Sequence, residues 1–135
     1  MNSKIIKLFF GIAILGFSLG ASAAQVECLI SGTPTQQSFE PDFCQSTTNV
    51  PKPGVVFRFI SDREVAHVTW STSTAISGSW DCGSDNYCRF DDNGRDANRG
   101  LYDATACVTR VLYNDGTWEN TNLCATGIYT KQLGF

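Results

Sequence analysis

Six cysteines, a single histidine and a cluster of aspartates are the residues of this 135-residue chain whose chemistry is specific enough to weigh against a function. Any Ser-His-Asp or Cys-His arrangement would have to use His67, because the sequence contains no other histidine. It falls in the β-rich run from Glu64 to Ser71, close in sequence to Asp62 and Glu64, and reads as a strand histidine. The cysteines at 28, 44, 82, 88, 107 and 124 contain no Cys-x-x-Cys pair, the usual spacing of a Cys/His metal site. In a small exported chain six cysteines read as three disulfides.

Two further groups of side chains suggest ligands. Asp91, Asp92 and Asp96 lie among other aspartates, asparagines and glycines between Asp81 and Asp103, and loops of this kind supply oxygen ligands to calcium. Their spacing does not match an EF-hand loop, and Arg89, Arg95 and Arg99 compete for the same carboxylates. A solvated turn with ion pairs is the plainer reading. Trp80, Tyr87 and Trp118 fall in or beside turns, where exposed aromatic rings would form a stacking platform for a sugar. Trp70 alternates with Val68 and Ala66 and is expected in the core. Acids are plentiful, but no pair stands out as the two carboxylates of a hydrolase.

The compartment follows from the first residues. Lys4 and Lys7 precede an apolar stretch from Leu8 to about Gly20, and Ala21-Ser22-Ala23 has the small-residue pattern of a signal-peptidase site. An apolar core of about 13 residues is short of the ~20 that span a bilayer, so residues 1–23 are expected to be a cleaved signal peptide and the product to be secreted, periplasmic or extracellular, with no membrane span. Removing Lys4 and Lys7 from ten basic residues leaves eight against 13 acidic, a net charge of about −5. Such a balance argues against nucleic acid as a partner.

The remaining chain of about 112 residues makes one domain. Residues 24–53 comprise a first strand followed by a Pro-rich loop, tied down if Cys28 pairs with Cys44. Residues 54–135 form the core. There Val55, Phe57 and Phe59 share one face of a strand that ends at Ser61-Asp62-Arg63, and the run from Glu64 to Ser71 is expected to complete a hairpin with it. Cys82 and Cys88 enclose a turn-rich loop and are paired with each other. Near the C-terminus Asn114-Asp115-Gly116 separates two long β-rich runs. A two-residue Asp-Gly turn places Cys107 opposite Cys124 and Tyr113 opposite Trp118. The alternative is a three-residue loop with a bulge at Gly116, which shifts the register. No helix is expected, and the chain reads as an all-β, small, disulfide-rich immunoglobulin-like two-sheet sandwich.

Gly54-Val55-Val56-Phe57-Arg58-Phe59, Val68-Thr69-Trp70 and Gly100 to Val108 followed by Asn114-Asp115-Gly116 resemble strands of bacterial immunoglobulin-like domains of the PKD type, over about residues 54–130. The chain departs from that pattern in having Ser71-Thr72-Ser73 after Trp70, where a Gly-Asp-Gly is usual, and in its three local disulfides. The resemblance implies kinship of architecture, and with it binding or assembly more than catalysis. The expected function is a secreted, non-enzymatic binding module for an extracellular or cell-surface protein or glycan, with no cofactor other than calcium. A structural subunit of an extracellular assembly and a small secreted hydrolase or hydrolase inhibitor are the alternatives.

Overall fold

A computed structural model describes residues 24–32, 38–96 and 100–132; the expected signal peptide lies outside these residues. The described residues contain strands and no helix: β1 Gln25–Ser31, β2 Glu40–Pro41, β3 Phe43–Thr48, β4 Gly54–Ile60, β5 Val65–Thr74, β6 Gly78–Asp81, β7 Tyr87–Asp92, β8 Gly100–Tyr113 and β9 Trp118–Lys131. They form two sheets, ordered β2-β1-β4-β7-β6 and β3-β9-β8-β5. The orders β1-β4-β7-β6 and β9-β8-β5 are those of a constant-type immunoglobulin domain, four strands against three. The fold is therefore a disulfide-rich immunoglobulin-like sandwich.

Strand alternation builds the core. In β4, Val55, Phe57 and Phe59 are fully buried while Val56, Arg58 and Ile60 face outward. The facing strands β8 and β9 supply smaller residues, among them Ala104, Ala106, Val108 and Ala125, so large side chains of one sheet meet small ones of the other. Gly127 is the extreme case. A Cβ there would lie 2.5 Å from Val55 Cγ1 and 3.3 Å from Cys44 Sγ.

Three expectations are corrected. First, β4 and β5 do not form a hairpin. They belong to different sheets, and residues 61–64 carry the chain across the sandwich. A connection this short serves either topology, so its length does not distinguish them. Second, the Pro-rich segment holds a strand. β3 runs parallel to β9 from Phe43↔Thr126 to Thr48↔Lys131, with Cys44, Ser46 and Thr48 inward. Asp42, at φ 65°, turns the chain from the first sheet to the second: its amide donates to Val26 O (3.2 Å) and its carbonyl accepts from Thr126 N (3.0 Å). Aspartate tolerates this left-handed conformation better than most residues.

Third, the last hairpin combines both proposed registers. Its loop has three residues: Tyr113 N donates to Thr117 O (2.9 Å), Gly116 N donates to Tyr113 O (2.9 Å) and Gly116 has φ 89°. Trp118 consequently faces Leu112, so Tyr113 and Trp118 are not partners. Farther along, Thr121 and Asn122 both stand opposite Thr109, a bulge in β9 at which the Thr121 hydroxyl donates to the Val108 carbonyl. This extra residue cancels the shift made at the turn, and Cys107 again faces Cys124.

The disulfides join Cys28 to Cys44, Cys82 to Cys88 and Cys107 to Cys124. The first connects the two sheets inside the core, the second closes the β6–β7 hairpin, and the third staples β8 to β9. At the opposite end of the sandwich from the 82–88 bridge, Lys131 Nζ of β9 lies 2.8 Å from Asp92 Oδ2 of β7, with both side chains fully buried. Tyr129 OH donates to the same oxygen at 2.7 Å, Gly94 N donates to Asp92 Oδ1 at 2.8 Å, and Lys131 Nζ also donates to the Asp96 carbonyl at 2.7 Å. The ring of Tyr102 stacks on that of Tyr129, with centroids 5.8 Å apart, and lies beneath the Lys131 amine.

Gly127→Val is predicted to destabilise the chain by about 1–3 kcal/mol through overpacking against Val55, read as a lower urea midpoint with an unchanged m-value.

Candidate functional site

Inward and outward residues alternate along β7. Cys88, Phe90 and Asp92 point into the core, whereas Tyr87 and Arg89 stand on the outer face of the first sheet. Arg89 pairs in register with Val56 on one side and Asp81 on the other. The hairpin loop adds Gly83 and Asp85, and together these residues line an open groove of about 250 Å³.

The groove is built on a fixed loop. Besides the Cys82–Cys88 bridge, three successive carbonyls of the loop are engaged: Ser84 O by Val68 N (2.9 Å), Asp85 O by Trp70 Nε1 (2.9 Å) and Asn86 O by Phe59 N (2.7 Å). These bonds reach β4 in one sheet and β5 in the other. They also place Trp70, expected in the core, at its margin, half-buried with its indole N–H satisfied. The loop meanwhile covers part of the free edge of β5, which protects a ladder position that would otherwise be open.

Beside the groove, Arg58 is bound to Glu27 (Nε to Oε1, 2.6 Å) and covers the ring of Phe39. The hydrogen bond with Glu27 is the main cause that raises the guanidinium above its ordinary value. Arg89 leans toward Asp91, with Nε 2.7 Å from Oδ1. By contrast, no hydrogen bond or ion pair to a described residue engages the carboxylates of Asp81 and Asp85. Tyr87 is 54% exposed. The groove therefore presents an open aromatic ring, two carboxylates with free acceptor capacity and a guanidinium edge.

A larger cavity, about 440 Å³, lies between the 61–64 crossing and the 114–116 turn, but its polar groups are already used by one another. Arg63 Nη2 donates to Asp115 Oδ2 (2.9 Å) and Thr117 Oγ1 (2.8 Å), and the guanidinium sits 3.7 Å from the centroid of Tyr113. Asn114 Nδ2 donates to Glu64 Oε2 (3.1 Å), and Tyr113 OH donates to Glu119 Oε1 (2.6 Å). Hydrogen bonds from the Thr117 hydroxyl and amide, with help from Arg63, hold the Asp115 carboxyl below its ordinary range. This network fastens the crossing to the turn.

The three aromatic residues proposed as a platform do not share a surface. Tyr87 lines the groove, whereas Trp80 points inward and packs against Phe57 and Phe90, with ring centroids 5.9 and 5.0 Å away. Trp118 is exposed on the second sheet, beneath Arg110. The calcium candidates are likewise spent separately: Asp91 on Arg89, Asp92 on Lys131, Tyr129 and Gly94, and Asp96 Oδ2 on the amide of Ser77 at 2.8 Å. Among the described residues no three His, Cys, Asp or Glu side chains gather to hold a metal ion. His67 is exposed on the outer face of the second sheet, across the sandwich from the groove. From the sequence, Asp81 and Asp85 stood out only as acids of the aspartate-rich segment 81–103, and not as neighbours of Tyr87 in one groove. The signal available was the enclosure of Asp85 by Cys82 and Cys88, which fixes that loop against β6.

The chain matches no family model, no curated protein and no solved structure.

The buried tyrosine of the sandwich end yields a pH prediction. Burial, then the hydrogen bond to Asp92 and the nearby acidic charges, raise the Tyr129 phenol above its ordinary value. A group raised on folding contributes stability in full below its unfolded value and loses it as pH rises. Stability is therefore expected to fall above about pH 10. In Tyr129→Phe that alkaline fall should be shallower, measured as urea midpoints at successive pH values.

Proposed function

We propose that this chain is an exported, non-enzymatic binding module with the architecture of bacterial immunoglobulin-like, PKD-type domains, and that it takes a carbohydrate in the groove beside the Cys82–Cys88 loop. The observation that carries this reading is the exposed Tyr87 ring next to the unpartnered carboxylates of Asp81 and Asp85. A sugar ring has apolar C–H faces suited to an aromatic surface and hydroxyl rims suited to carboxylate acceptors. The disulfide and the three tethered carbonyls order the loop before any ligand arrives, which lowers the entropy cost of binding. Three disulfides also fit an oxidising, extracytoplasmic setting.

A role as a subunit of an extracellular assembly is the second reading. It is favoured by β5, a ten-residue strand at the edge of its sheet, whose last four residues, from Ser71 to Thr74, lie beyond the Ser84 and Asp85 contacts. A chain that stays monomeric at high concentration would count against it.

Titration of the mature protein with a panel of mono- and oligosaccharides, followed by NMR shifts, tests the first reading. At least one sugar should shift Tyr87, Arg89 and the 83–86 loop. Tyr87→Ala and the Asp81→Asn/Asp85→Asn double variant should each weaken that binding by about tenfold or more, equivalent to about 1.4 kcal/mol, without lowering the thermal midpoint. Shifts confined to other surfaces, or no response to any sugar, would remove the carbohydrate reading. New reducing ends in the mixture would replace binding by hydrolysis.

A further inference from the structure

The end of the sandwich opposite the groove loop holds a second arrangement that the binding reading does not use. Lys131 and Asp92 come from different sheets, are fully buried and meet with Nζ 2.8 Å from Oδ2. Each reactive atom has a further partner. Lys131 Nζ is aimed by its bond to the Asp96 carbonyl, Asp92 Oδ1 accepts the Gly94 amide, and Asp92 Oδ2 accepts the Tyr129 hydroxyl. We propose that Lys131 and Asp92 condense to an intramolecular isopeptide bond that joins β9 to β7.

The chemistry follows from the placement. In a water-poor site, transfer of a proton from the ammonium to the carboxylate discharges both groups, which brings the neutral amine and acid within reach of the ion pair. The free amine then attacks Asp92 Cγ. Charge developing on Oδ1 falls on the Gly94 N–H, a fixed donor already in place. Tyr129 relays protons to Oδ2, which leaves as water. The Nζ–Cγ bond forms and the Cγ–Oδ2 bond breaks. Of the three ammonium protons two depart with that oxygen and one remains on the amide. No oxidant, reductant or co-substrate is required. Fixed juxtaposition lowers the barrier, since effective molarities for well-oriented intramolecular reactions reach about 10⁵–10⁸ M. Burial then shields the product amide from hydrolysis.

The test is the intact mass of the mature wild-type chain, with its N-terminus fixed by sequencing and its cysteines reduced and alkylated. The expected mass is lower than that of the linear sequence by one water, and a protease digest should yield one branched peptide containing both Lys131 and Asp92. Lys131→Met should restore the full linear mass. Tyr129→Phe should retain the fold but form the bond more slowly, an effect that a purely structural tyrosine would not produce. A folded wild-type chain that keeps its full mass after prolonged incubation, with Lys131 and Asp92 in separate linear peptides, would overturn the proposal. This outcome does not depend on whether the groove binds a sugar.

Discussion

The contact between Asp92 and Lys131 is the constraint on which the arrangement of the sandwich turns. Two fully buried charges from opposite sheets are tolerable only if they meet, because either one alone in the interior would cost several kcal/mol. The pair therefore fixes the end of β7 against the end of β9. At its other end β7 is fixed by Cys88, bridged to Cys82. A strand pinned at both ends cannot slip by one residue, and a one-residue slip would exchange Cys88, Phe90 and Asp92 for Tyr87, Arg89 and Asp91 at the core face. The inward set closes the fold, and the outward set supplies the groove.

Charge is handled differently in the two cavities. Around Arg63 the polar groups satisfy one another, so that network joins two loops and leaves little for a ligand. In the 82–88 loop three carbonyls and the disulfide tether the backbone, while the carboxylates of Asp81 and Asp85 are left open. Rigid backbone with unsatisfied side chains is the combination expected of a preformed binding surface.

Much of the architecture was legible in the sequence, because β4, β8 and β9 alternate strongly and the cysteine spacing is local. The parts that were not legible have identifiable physical reasons. β3 hides because its inward residues are Cys44, Ser46 and Thr48, small and partly polar, and its partner β9 lies some eighty residues later in the chain. The passage from β4 to β5 is as short as a hairpin loop, so only the pairing of β5 with β8 reveals the change of sheet. In the last hairpin the turn shifts the register and the bulge at Thr121 and Asn122 restores it, so the facing cysteines alone did not report the turn. Lys131 would be assigned to the surface from its residue type, since lysine is seldom fully buried without a partner. For the site, Tyr87 was legible as an exposed ring. Asp81 became part of the groove only through its register with Arg89.

A double-mutant cycle on Asp92 and Lys131 tests the central claim most directly. It is best run in a Tyr129→Phe background, so that no phenol is left without its acceptor, on chain whose intact mass shows Asp92 and Lys131 still unlinked, and read by urea denaturation. Asp92→Leu and Lys131→Met should each destabilise by about 3–5 kcal/mol, whereas the double variant should lose far less than their total, because no uncompensated charge remains in the interior. Single effects below about 1 kcal/mol that simply add would contradict the account, since that is how an exposed and uncoupled pair behaves.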